Sequence, residues 1–134
     1  MIARFLLDTH ILSWWLRSPQ RLSADQRRVI RKAAGRGEGL PLSAVSLVEL
    51  AVAHGVGNRR GPAIAGALLR DLEQDPSFVV LPVTFDIAVE VATMGAILQD
   101  PNDRTIVATA RVHQLTLITA DQRIIDSRLV PTIS

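Results

Sequence analysis

Short runs of consecutive apolar residues alternate along this chain with longer amphipathic stretches, and the two patterns predict different elements. Residues 3–7 (ARFLL), 78–81 (FVVL) and 115–118 (LTLI) are apolar runs of strand length, with 40–42 a weaker fourth. Between them the spacing predicts helices over 22–35, 44–55, 62–74, 84–98 and 101–113. The first of these, LSADQRRVIRKAAG, has Ser23 as a cap, an amphipathic body and a glycine stop. Strands alternating with helices predict an α/β fold, a sandwich around a mainly parallel sheet. No repeat, low-complexity tract or linker longer than the turns RGEG (36–39) and HGVGNRRGP (54–62) divides the chain. Its 134 residues, 48% of them hydrophobic, suffice for one compact core and not for two, so 1–134 is expected to be a single domain.

Composition narrows the setting. No apolar run is long enough to span a bilayer, and MIARFLLDTHILSWW is broken by Asp8 and His10 where a secretory signal would stay apolar. A soluble, cytoplasmic protein is expected. The lack of cysteine rules out disulfides and Cys-ligated zinc, which agrees with a reducing compartment. The formal net charge is only +2, yet the basic residues are almost all arginine, and Arg21, Arg27, Arg28, Arg31, Lys32 and Arg36 crowd one segment. That cluster is either a solvated helix face or a surface that contacts phosphates, whose geometry arginine forks match.

The acidic residues are more informative. In an open α/β sheet ligands bind beyond the carboxyl ends of the strands. Asp8 follows one predicted strand and Asp121 follows another, so a parallel sheet puts both on one rim, although an aspartate after a strand also serves as a turn or cap residue. In SAVSLVELAVAHG, Glu49 lies within an apolar stripe of Val45, Val48, Val52, Ala53 and Val56, which aims a charged group inward. Ser46 and Glu49 also fit a capping box, whereas a cap at Ser43 places Glu49 one turn further into the helix. In QDPNDR, Asp100 reads as the N-cap and Pro101 as the first helical residue. Asp103 then heads a buried stripe of Ile106, Val107 and Ala110, with Arg104, Ala108 and Arg111 on another face.

Four carboxylates in one crevice would repel one another unless a cation sat among them. Oxygen-only ligands select a hard ion, Mg2+ or Mn2+, held in part through water, an arrangement that activates water against a phosphodiester. His10, near Asp8, fits a packed or surface role better than a ligand role, and His54 and His113 suit the ends of predicted helices.

The ordered set LLDTHILSWW, SAVSLVEL, DPNDRTIVATA and LTLITAD resembles the PIN-domain nucleases, and most closely the stand-alone toxin ribonucleases of the VapC type. The resemblance covers essentially the whole chain. It implies a three-layer α/β/α sandwich and a Mg2+- or Mn2+-dependent endoribonuclease acting on RNA. It also implies frequent homodimers and a cognate antitoxin, here expected to reach the crevice with a basic side chain. By motif it carries the family's acidic residues onto Asp8, Glu49, Asp103 and Asp121, with Asp8 and Asp103 expected to hold the ion most directly. Relatives usually carry histidine before the DP and an aromatic residue after it, where this chain has Gln99 and Asn102; neither is a proposed ligand, so the difference bears on substrate details. Segment 59–77 matches no motif and is expected to form a helical hairpin. The two tryptophans, Trp14 and Trp15, are expected in the core.

Other classes fit less well. A receiver domain needs an early acidic pair and a late lysine, but Asp8 stands alone and Lys32 is the chain's single lysine. A haloacid-dehalogenase-type phosphatase needs Asp-x-Asp after the first strand, where this chain reads Asp8-Thr9-His10. An RNA-processing nuclease outside any toxin system, or a module that kept the fold and lost catalysis, is the remaining alternative.

Overall fold

The apolar runs become parallel strands. A computed structural model describes residues 1–134 and places β1 (Phe5–Leu7), β2 (Leu40–Ser43), β3 (Phe78–Leu81), β4 (Thr116–Ile118) and β5 (Thr132–Ile133) in one sheet of order β3-β2-β1-β4-β5. Every pairing is parallel, with Leu7 opposite both Leu42 and Ile118. Side chains alternate across a strand, so Phe5 and Leu7 enter one core cluster and Leu6 the other. A strand covered on both faces has no polar alternation to show, which is why these segments read as continuous apolar runs.

Helices fill both faces. On one side are α1 (Thr9–Arg17), α2 (Ala24–Gly35) and the hairpin of α3 (Ala44–Gly55) with α4 (Gly61–Gln74); on the other are α5 (Phe85–Ala92), α6 (Pro101–Val112) and α7 (Gln122–Ser127). The result is the expected three-layer α/β/α sandwich. No helix is long and apolar enough to cross a membrane.

Several boundaries depart from the sequence pattern for identifiable reasons. Helix α1 was not predicted: THILSWW is rich in β-branched and aromatic residues of modest helix propensity, and burial of Ile11 and Leu12 decides the matter. Helix α7 and strand β5 span only six and two residues, too few for a period to emerge. Helix α5 stops at Ala92 instead of continuing to 98, and Gly95 turns with φ +62°. The Arg104 guanidinium donates to the carbonyls of Val91, Gly95 and Leu98, which stabilises this folded-back segment. Segment 59–77 contributes one helix of a hairpin whose other arm is α3, where a Cβ on Gly61 would meet the His54 and Gly55 carbonyls at 2.8 Å. Trp14 and Trp15 are half-buried, packed against the core without entering it.

Candidate active site

Strand order decides where a crevice opens. From β1 the chain moves outward to β2 and β3, then returns to β4 on the opposite side of β1, so β1 and β4 flank the topological switch point. Asp8 and Asp121 lie just past the ends of these two strands. The Asp8 amide donates to the Ile118 carbonyl, locking the two strand ends together.

Asp8 is 5% exposed and caps α1. Its Oδ1 accepts the Thr9 amide at 2.8 Å and its Oδ2 accepts the Thr119 hydroxyl at 2.7 Å. Thr119 Oγ1 in turn accepts the Asp121 amide at 3.0 Å, so one hydroxyl ties both strand-end aspartates into a single polar bed. Asp121 caps α7 by accepting the Arg123 amide.

Asp103 arrives from the first turn of α6, whose amides at Asn102 and Asp103 are capped by Asp100 Oδ1 at 2.8 and 3.1 Å. The expected division of the doublet is therefore present: Asp100 caps, and Asp103, its side chain 14% exposed, faces the crevice. Ile106, Val107 and Ala110 are buried as expected, but Ala108 is also fully buried and marks no outer face. The middle of α6 is enclosed on all sides.

Glu49 reaches this region by a route the apolar stripe did not predict. Ser43 caps α3 through the Val45 amide, which leaves Glu49 inside the helix. Beyond the half-buried Val45 the stripe faces outward: Val48, Val52 and Val56 are 60, 57 and 72% exposed, while Ser46 and Leu50 are buried. Glu49 lies at the boundary and accepts the Thr9 hydroxyl at 2.6 Å. Because that proton is committed to Glu49, the 2.8 Å contact between Thr9 and Ser46 has Ser46 as donor. Thr9 thus couples Glu49 to Asp8 through its hydroxyl and its amide.

The electrostatics mark an unbalanced acidic crevice. Burial, followed by the charges of Asp100, Asp8 and Asp121, pushes Asp103 up to about 6. Burial also raises Asp8, against the hydrogen bonds from Thr119 and the Thr9 amide that favour its charged form. The hydrogen-bonded Arg123 guanidinium holds Asp121 below the usual carboxylate range. Arg123 lies 2.9 Å from Asp121 and 3.6 Å from Asp103, a single positive group drawn across two carboxylates. His10 turns outward and stacks on Trp14, with ring centroids 6.3 Å apart.

No three carboxylate or histidine groups close around one point as they stand. The donor chemistry still fits a hard divalent cation, since only oxygens are offered, the aspartates oppose one another's ionisation, and the crevice already attracts a guanidinium. Arg28, Lys32 and Arg36 of the arginine cluster lie away from the crevice, lining a hollow at the amino-terminal ends of the central strands, beside Ala3 and Leu115.

The PIN domain family model matches residues 5–128, nearly the whole chain. The chain belongs to the PIN-domain family. Ribonuclease VapC22 of Mycobacterium tuberculosis is 34% identical over 121 residues, covering 89% of this chain and 88% of that protein. FitAcB from Neisseria gonorrhoeae matches with a TM-score of 0.66 at 26% identity, over 97% of this chain and 96% of its own. DNA-bound VapBC from Salmonella typhimurium, at 17% identity, matches in fold with a TM-score of 0.74 over 99% and 98% of the two chains.

In this PIN domain the sequence points to the carboxylates but not to Thr9, Thr119 and Arg123, and it offers Ser46 only as a capping partner of Glu49. Thr9, Ser46, Thr119 and Arg123 each lie one to three residues from a predicted acidic residue. A hydroxyl that close to a strand-end carboxylate is the signal that would have found Thr9 and Thr119.

Proposed function

We propose that this PIN domain, spanning 1–134, is a Mg2+- or Mn2+-dependent endoribonuclease and the toxin of a toxin–antitoxin pair. The observation that carries the reading is that Asp8, Asp103 and Asp121, from three separate segments, come near enough at the switch point between β1 and β4 for the charges of Asp8 and Asp121 to raise Asp103. The 34% identity to a ribonuclease named VapC22 supports RNA as the substrate, and the VapBC complexes among its structural relatives support an antitoxin partner.

Asp8 and Asp103 would hold the ion most directly, with Asp121 and Glu49 completing its surroundings directly or through water. The bound ion would supply an activated water and neutralise charge on the phosphoryl oxygens. The protein's own groups prepare that event. Thr119 and the Thr9 amide fix both oxygens of Asp8, and Thr9 orients Glu49. Arg123, 73% exposed and paired with Asp103 and Asp121, would exchange those carboxylates for an incoming phosphate. In-line attack of water on phosphorus would break the P–O3′ bond and leave a 5′-phosphate.

Assembly follows from exposed apolar surface. Val48 and Val52 on α3, Val56 at its C-cap and Ile64 on α4 present large side chains to solvent, more so than the half-buried tryptophans, and a homodimer would cover them.

Purified protein incubated with labelled RNA should cleave it with Mg2+ or Mn2+, and excess chelator should stop cleavage while circular dichroism stays unchanged. Hydrolysis that persists in chelator, from a preparation free of contaminating nuclease, would overturn the metal mechanism. Light scattering at micromolar concentration tests the dimer separately.

A further inference from the structure

The basic segment that stays outside the crevice has a geometry of its own. Residues 21–36 hold six basic groups and one acidic group, whereas the whole chain is only +2, so the remainder is net acidic. Helix α2 buries Gln26, Ile30 and Ala33 and turns Arg28, Arg31, Lys32 and Arg36 outward on one side. Only Arg28 has an ion-pair partner, Asp25; Arg31, Lys32 and Arg36 have none. Arg27 with Arg31, Arg28 with Lys32, and Lys32 with Arg36 are like charges four residues apart, each pair opposing the helix that carries it. The helix dipole relieves this for the last turn and not for the arginines before it. A bound polyanion would relieve all of it.

The helix also has direction. Near its start, the Gln26 side chain donates to the Thr119 and Ile133 carbonyls, beside the acidic crevice. Its end leads to Gly39 and Ala3, at the amino-terminal ends of the strands. There Arg28, Lys32 and Arg36 are joined by Arg4 and His113 around a hollow of about 780 Å³, with Glu38 its one acid. Twelve helical residues span roughly 18 Å.

We propose that the outer face of α2, with Arg4 at its foot, is a track for the RNA backbone flanking the cleaved bond. The ligand chemistry is a run of phosphodiesters, which arginine forks grip without reading sequence. The proposal rests on the ribonuclease reading and adds to it a surface remote from the crevice, which would favour long RNA over short.

The test is binding of a 30-nucleotide RNA in chelator, followed by fluorescence anisotropy across a salt series, with duplex DNA of equal length measured alongside. Arg31→Glu/Lys32→Glu/Arg36→Glu should weaken RNA binding at least tenfold. It should also lower the slope of log affinity against log salt by about 2, since each lost contact to a single strand removes about 0.7. The milder Arg31→Ala/Lys32→Ala/Arg36→Ala should move both in the same direction, and unchanged melting temperatures would show that the fold is intact. Arg59→Glu/Arg60→Glu/Arg70→Glu makes the same charge change elsewhere and should have less than half the effect. RNA affinity and slope that do not change, or that change equally in the control, would overturn the proposal. A loss confined to DNA would overturn it in favour of DNA, and no loss with either would leave an acidic protein segment as the occupant. Because binding is read in chelator, a failure of metal-dependent cleavage is seen separately.

Discussion

Helices α3 and α6 each bring a carboxylate toward the crevice, and each carries an apolar stripe beside it. In α6 the stripe marks buried positions: Ile106, Val107 and Ala110 are enclosed, and Asp103 heads them at the crevice. In α3 it points the wrong way, since Val48, Val52 and Val56 face solvent while Ser46 and Leu50 are inside. Position relative to the sheet explains the difference. Helix α6 has β-sheet beneath it and α5 beside it, so nearly every central residue is covered. Helix α3 is a peripheral arm whose inward face includes small polar residues, because that face abuts Thr9 rather than a purely apolar layer. An apolar stripe marks a covered face, but the cover can be another molecule as well as the core.

The largest expected effect tests whether the two carboxylates differ in role as they differ in setting. Asp103→Asn should fold and lose about 100- to 1000-fold in cleavage rate, as removal of a preorganised charge at the reacting centre does. Glu49→Gln, one hydrogen-bonded step away through Thr9, should lose about 10- to 100-fold, the scale of a supporting partner. Equal losses from the two variants would break the comparison and make Glu49 a direct ligand.

Burial gives the second test. Leu50→Ala removes a core side chain and should cost about 2–5 kcal/mol. Val52→Ala, on the outward stripe, should stay within about 0.5 kcal/mol for the monomer in denaturant melts. If Val52→Ala instead shifts the protein from dimer to monomer at equal monomer stability, the stripe is the covered surface of an assembly.

Much of this molecule was legible because its local and global preferences agree. Four strands, five helices and the caps at Ser23 and Asp100 follow from apolar period and turn chemistry, with Ser43 one of two candidate caps for α3, and the parallel sheet then brings Asp8 and Asp121 to one rim. What escaped was set by contacts between distant segments. Helix α1 forms because Ile11 and Leu12 are buried, and beyond α5 the chain folds back where Arg104, on another helix, takes the carbonyls of Val91, Gly95 and Leu98. The hydroxyls of Thr9, Ser46 and Thr119 gain their meaning only once β1, β4 and α3 are neighbours.

Acidity supplies a third, smaller effect. In metal-free buffer burial and its acidic neighbours push Asp103 up to about 6 in the folded protein from the ordinary aspartate value of 3.8, so across that window the native state holds more protons than the unfolded chain. Stability must therefore fall as pH rises from about 4 to 6. Asp8 acts in the same direction, while Asp121, held low by Arg123, contributes stability that is lost only at still lower pH. Melting curves between pH 4 and 7 in chelator should show the decline, and Asp103→Asn should flatten it. An identical slope in that variant would remove Asp103 as the cause.

The smallest expected effect returns to α6 and divides its two aspartates. Asp100 Oδ1 accepts two first-turn amides, a task asparagine performs nearly as well, so Asp100→Asn should cost no more than a few tenths of a kcal/mol, and Asp100→Ala about 1 kcal/mol. Asp100 also adds to the charge that raises Asp103, so removing its charge should move the Asp103 titration downward and ease ionisation at neutral pH. Cleavage by Asp100→Asn should then remain measurable, with its acid limb shifted to lower pH. Melting temperature and a pH–rate profile on the one variant separate the capping role from the electrostatic one. Should Asp100→Asn abolish cleavage while its melting temperature holds, the cap would be the working carboxylate, and α6 would share with α3 a stripe that misleads.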